Sequence, residues 1–164
     1  MIRRPGLLLA ACLALCGTAH AGEAFRKPFD LHLPVDATHY YEEHFERMPY
    51  VFDETVFLFK DDEFSVTLSP SDSGLSAVTY ESNAAKGNVR FKFTQEPAAD
   101  GKLMMMLVIE NKTGKTLTME ALLTVPGEKG VFKTTIVPVQ AGLSNFESWP
   151  HPIVQLALRS FRVQ

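Results

Sequence analysis

The chain has 164 residues, 46% of them hydrophobic and 21% charged, with a formal net charge of −3. That length suits one ordinary domain with a sizeable core, and the acidic balance argues against nucleic acid or an anionic membrane as the principal partner. The two cysteines are Cys12 and Cys16, so disulfide or thiol chemistry depends on what becomes of the N-terminus.

Residues 1–21 have the layout of a secretory signal peptide. Arg3 and Arg4 precede an apolar run over 7–15, and Ala19-His20-Ala21 has the A-x-A form of a cleavage site. The run is shorter than the roughly 20 apolar residues that span a bilayer, and none of that length follows, so the mature chain is expected to carry no transmembrane segment. The short Ala/Leu-rich leader has a bacterial character, which makes the periplasm the expected destination. Leu9-Ala10-Ala11-Cys12 resembles a lipobox that would anchor Cys12 to lipid, but too few apolar residues precede it. Arg3-Arg4 fits a twin-arginine signal poorly, because Pro5-Gly6 follows. Cleavage after Ala21 removes both cysteines and leaves 22–164 as a single domain, with 14 basic against 19 acidic residues. Without disulfides, stability has to come from packing, and twelve Phe, all beyond the leader, supply the material.

In chain order, the first predicted element is a short helix over 38–48. Tyr41, Phe45 and Met48 fall at i, i+4 and i+7, Asp36 or Thr38 can cap it, and Pro49 ends it. Strands are predicted at 50–60, 64–69 and 75–81. The alternation of Val89, Phe91 and Phe93 with Arg90, Lys92 and Thr94 begins a four-stranded meander with strands at 103–110, 117–125 and 132–139. Its turns are 97–101, 111–114 and 126–130, each with the Gly, Pro, Asn or Asp that turns require. A long Pro-containing connection, 141–152, leads to a last strand at 154–163. This pattern predicts an all-β antiparallel sandwich of immunoglobulin-like type, with an up-and-down barrel as the alternative. The stretch 107–138 resembles the immunoglobulin-like modules of exported bacterial proteins in layout, a likeness that implies no particular function.

The strand 103–110 is apolar on both faces. Leu103, Met105, Leu107 and Ile109 point one way and Met104, Met106 and Val108 the other, so the second face needs a cover or a partner. The connection carries Phe146, the lone Trp149 and His151 on a stiff extended segment suited to recognition. These six residues, Met104, Met106, Val108, Phe146, Trp149 and His151, are the expected binding surface of a non-enzymatic module that contacts a protein or envelope component. Copper handling is the alternative, with His39, Glu43, His44, Met104 and Met106 as ligands of suitable type. The five-residue step from His39 to His44 lacks the helical spacing of a zinc motif, so no metal or other cofactor is assigned in the main reading. A barrel-type carrier of a small ligand is a third possibility, requiring an internal cavity. Catalysis is not expected: no thiol remains after cleavage, no phosphate-binding glycine loop is present, and Asp72-Ser73-Gly74 lacks the context of a nucleophile elbow.

Overall fold

The computed structural model describes residues 24–71 and 73–164. The expected leader, with Cys12 and the expected cleavage site at Ala21, and Asp72 lie outside the described residues. Among the described residues twelve strands follow one another: β1 (Phe29–Pro34), β2 (Tyr40–Phe45), β3 (Val51–Phe52), β4 (Thr55–Leu58), β5 (Asp62–Pro70), β6 (Ser76–Glu81), β7 (Val89–Pro97), β8 (Leu103–Asn111), β9 (Leu117–Thr124), β10 (Phe132–Thr134), β11 (Ser144–Trp149) and β12 (Gln155–Val163). One five-stranded sheet has the order β10-β9-β12-β4-β3 and the other β11-β8-β7-β5-β6, while β1 and β2 form a separate hairpin. Every pairing is antiparallel, and no sheet closes into a barrel. Among the described residues, no helix is long and apolar enough to cross a membrane.

The two large sheets face each other through the apolar sides of their strands. Phe91 and Phe93 of β7, Met105, Leu107 and Ile109 of β8, and Leu156 and Leu158 of β12 are all fully buried. The Phe91 and Phe161 rings meet across the sandwich with centroids 6.3 Å apart. Each such side chain contributes about 1.5–3 kcal/mol by leaving water.

The predicted helix over 38–48 is instead a strand. Tyr41, Glu43 and Phe45 lie along one side of β2, opposite Leu33, Leu31 and Phe29 of β1. An i, i+4 pair of aromatic residues satisfies a period of two as well as a period of 3.6, and the pairing with β1 decides between them. Asp36 still caps, but it caps a turn. Its carboxylate accepts the Thr38 and His39 N–H groups at 2.8 and 2.9 Å.

The predicted four-stranded meander is also corrected. β7 and β8 pair as expected, and β9 pairs with β10, but β9 belongs to the other sheet. Residues 111–116 are a crossing between sheets. Asn111, buried at 1% exposure, makes the crossing. Its amide donates to the carbonyls of Lys115 (2.8 Å), Val139 (2.9 Å) and Gln140 (3.2 Å), and its oxygen accepts the Thr113 N–H (3.0 Å) and hydroxyl (2.7 Å). The predicted strand 50–60 is a hairpin, β3–β4, whose turn residues Asp53 and Glu54 both have positive φ, the conformation of a tight I′-type turn. Part of the connection 141–152 is a strand, β11, which Pro150 ends.

The first described residues are tied in by a buried cation. Arg26 forms a bidentate pair with Asp62 (3.1 and 2.5 Å) and donates to the carbonyls of Pro49 and Phe57, both at 2.6 Å. Its guanidinium lies 4.0 Å from the centre of the Tyr50 ring. Asp62 also accepts the Phe59 N–H at 2.7 Å. Burial pushes the Asp62 carboxyl up from its ordinary pKa even with Arg26 beside it.

Gly87 marks the tightest backbone approach. A Cβ there would stand 2.4 Å from Ser65 Cβ and 2.9 Å from the Val66 carbonyl oxygen. Neither neighbour is the end of a flexible chain, so strand β5 itself would have to shift. Gly87→Ala is expected to lower stability by about 1–3 kcal/mol in urea denaturation. A loss below about 0.5 kcal/mol would show that the approach can relax freely.

Candidate binding groove

Strands β10 and β11 are the edges of opposite sheets and do not pair with each other. Between them the sandwich opens into a groove of about 680 Å³. Leu123 and Phe132 come from the first sheet and Trp149 from the second. Val125 and Pro126 come from the β9–β10 loop, His151 and Pro152 from the segment after β11, and Val35 from the hairpin turn. Glu128, Lys133 and Thr134 supply the polar part of the lining. The walls are thus mostly aliphatic and aromatic, with a few polar groups, the composition of a site for an apolar ligand group.

Trp149 joins the two sheets across this opening. It faces inward, 8% exposed, because β11 pairs it with inward-facing Met105. Its indole N–H donates to the Thr134 hydroxyl of β10 at 3.1 Å, and its ring stands edge-on to Phe93 with centroids 6.4 Å apart. Phe132 and Val35 remain 41% and 39% exposed at the mouth. Of the two charged side chains that line the groove, Lys133 is engaged. Lys133 reaches Glu120 at 3.4 Å, and together with Arg159 it holds that carboxyl below its usual range.

The six expected binding residues divide between two surfaces. Trp149 and His151 line the groove. Met104, Met106, Val108 and Phe146 are on the outer face of the β8 sheet, where Phe146 stands opposite Val108. The three β8 residues are half-buried there, and Phe146 is 66% exposed. The polar half of that face is an ion-paired row in which Arg90 bridges Glu63 and Glu110.

The five candidate metal ligands are not brought together. His39 is held in the β1–β2 turn by the Asp36 carboxylate. That carboxylate lies well below its ordinary pKa, chiefly through the Thr38 N–H and then through His39. His44 and Glu43 point to opposite sides of β2: His44 pairs with Asp30 at 2.6 Å, which raises its pKa, while Glu43 accepts the Tyr41 hydroxyl proton. That contact pushes the Tyr41 phenol up to about 12. Met104 and Met106 belong to a different sheet. Among the described residues, no three His, Cys, Asp or Glu side chains converge as metal ligands would.

The groove residues that sequence reasoning missed include Val35, Val125, Pro126 and Phe132. The available signal was the apolar pair Val131-Phe132 beside a turn, which reads equally well as the start of a buried strand. Comparison with known proteins identifies no relative: no family model matches the chain, and neither a curated protein nor a solved structure is significantly similar to it.

Proposed function

We propose that the chain is an exported binding module that receives an apolar group of a protein or envelope component in the groove beside Trp149. The observation that carries this reading is the groove itself: a largely apolar opening of about 680 Å³ built from both sheets and the hairpin turn. Its size lies in the range of sites that hold small molecules. The leader supports export to the periplasm. The crossing of the chain between sheets at 111–116 supports an immunoglobulin-like arrangement, in which loops at the ends of the sandwich are free to bind.

The chain's single tryptophan makes the reading easy to test. A neutral apolar fluorescent probe such as N-phenyl-1-naphthylamine is expected to bind saturably and to shift or quench Trp149 emission. Phe132→Glu, at a half-exposed position, is expected to weaken that binding at least tenfold while leaving the thermal midpoint near the parent value. Non-saturable binding, or saturable binding indifferent to Phe132→Glu, would remove the groove from the reading.

A further inference from the structure

We propose that β11 is an association edge, and that a second copy of this chain adds to it antiparallel about a twofold axis through Phe146. This proposal is independent of the groove.

The sandwich presents four sheet edges. β3 offers two residues and β10 three. β6 is six residues long, but the Glu54 carboxylate from the β3–β4 turn accepts its Val78 N–H. β11 is also six residues long and has no such cover. The Asn111 N–H donates to the Leu143 carbonyl at 3.0 Å. Residues at two-residue spacing from Leu143, namely Asn145 and Glu147, therefore aim their main-chain groups at β8. Ser144, Phe146 and Ser148 aim theirs away from the sheet. Among the described residues, no group hydrogen-bonds those outward main-chain atoms. The passing segment 135–138 is held by side chains instead: the Val137 N–H donates to the Glu147 carboxylate (2.8 Å), and the Asn145 amide donates to the Val137 carbonyl (3.3 Å).

A row of alternating N–H and C=O groups is complementary to another strand. Protein edges of this length are usually blunted by Lys, Pro or a bulge. β11 has no Lys or Pro within it, and its one charge, Glu147, is occupied. Its centre is Phe146, 66% exposed with Val108 beside it.

The register identifies the occupant. Read antiparallel about Phe146, the strand matches itself: Ser144 faces Ser148, Asn145 faces Glu147, and Phe146 faces Phe146. The two Phe146 residues exchange their N–H and C=O groups, and their rings meet on the outer face between the two Val108 side chains. No like charges oppose. A register centred on Glu147 would set carboxylate against carboxylate, and one centred on Asn145 would separate the phenylalanines. One strand edge with a few side chains falls at the small end of specific interfaces, so the association is weak.

Sedimentation velocity on the mature chain, from about 1 to 500 μM, is expected to show a reversible monomer–dimer equilibrium. Phe146→Lys alone and Phe146→Glu alone are each expected to be monomeric, while an equimolar mixture of the two regains the dimer. On the unmodified chain, raising the concentration is expected to slow hydrogen exchange at the Ser144, Phe146 and Ser148 amides. A parent that stays monomeric to 500 μM, or a dimer that survives both single changes, would overturn the proposal. A mixture that remains monomeric would overturn the twofold register, as would unchanged exchange at those three amides.

Discussion

Asn111→Asp is expected to destabilise the fold by about 3–5 kcal/mol at neutral pH, although it changes one atom of the side chain. The native amide gives its protons to the carbonyls of Lys115, Val139 and Gln140 from a site that is 1% exposed. A carboxylate would put negative oxygen against carbonyl oxygens and take one donor from each, leaving Val139 and Gln140 only the Leu117 and Leu143 N–H groups and Lys115 only the Thr113 hydroxyl. The sign with pH follows from burial. The introduced carboxyl would have a folded pKa raised well above the roughly 3.9 of an unfolded aspartate. Below about 3.9 both states are neutral and the penalty is smallest; it grows as pH rises from there to the folded pKa. Urea midpoints at about pH 4 and pH 7.5 are therefore expected to separate, with the larger loss at the higher pH. Equal losses at both would mean that the side chain rotates out to water. Asn111-Lys112-Thr113 also has the N-x-T form of a glycosylation acceptor, and the same burial closes it to modification once the chain has folded.

The second large effect is expected at Arg26. Arg26→Ala leaves Asp62 charged and mostly enclosed, and removes the donors to the Pro49 and Phe57 carbonyls. The expected loss is about 3–5 kcal/mol by urea denaturation. Burial works against the pair, raising the Asp62 carboxyl despite the adjacent guanidinium. Arg26 matters because one planar cation serves a carboxylate and two carbonyls while stacking on Tyr50. Arg26→Lys is accordingly expected to recover less than half of the loss, because an ammonium lacks the fork. Adding Asp62→Leu to Arg26→Ala is expected to restore part of the stability by removing the unpaired charge. Strict additivity of the two changes would show that the residues act separately.

The β content and most strand positions were legible in the sequence because alternation is a local signal. Phe91 and Phe93, or Leu117 through Leu123, announce a strand without reference to any partner. Partnership was not legible. Asn111-Lys112-Thr113-Gly114 has hairpin composition, yet the carbonyls that its amide collects come partly from Val139 and Gln140, far along the chain. The stripe Tyr41/Phe45 fitted two periods, and only the pairing with Phe29–Pro34 selects one. Trp149 and His151 were legible as a candidate site because a lone Trp beside two prolines is conspicuous. Phe132 and Val35 were not, because a groove between two sheet edges exists only once both sheets are placed.

The place of β12 bears on how the chain acquires its structure. It is the central strand of its sheet, with Leu156 set between Leu58 of β4 and Leu123 of β9. The contact with β4 joins positions ~100 residues apart, so an entropically costly closure precedes its reward. A chain emerging from its N-terminus leaves β4 and β9 without their common neighbour until residues near Val163 appear. Completion of the core thus waits on residues 155–163, and until that strand is in place the two halves of its sheet remain unjoined.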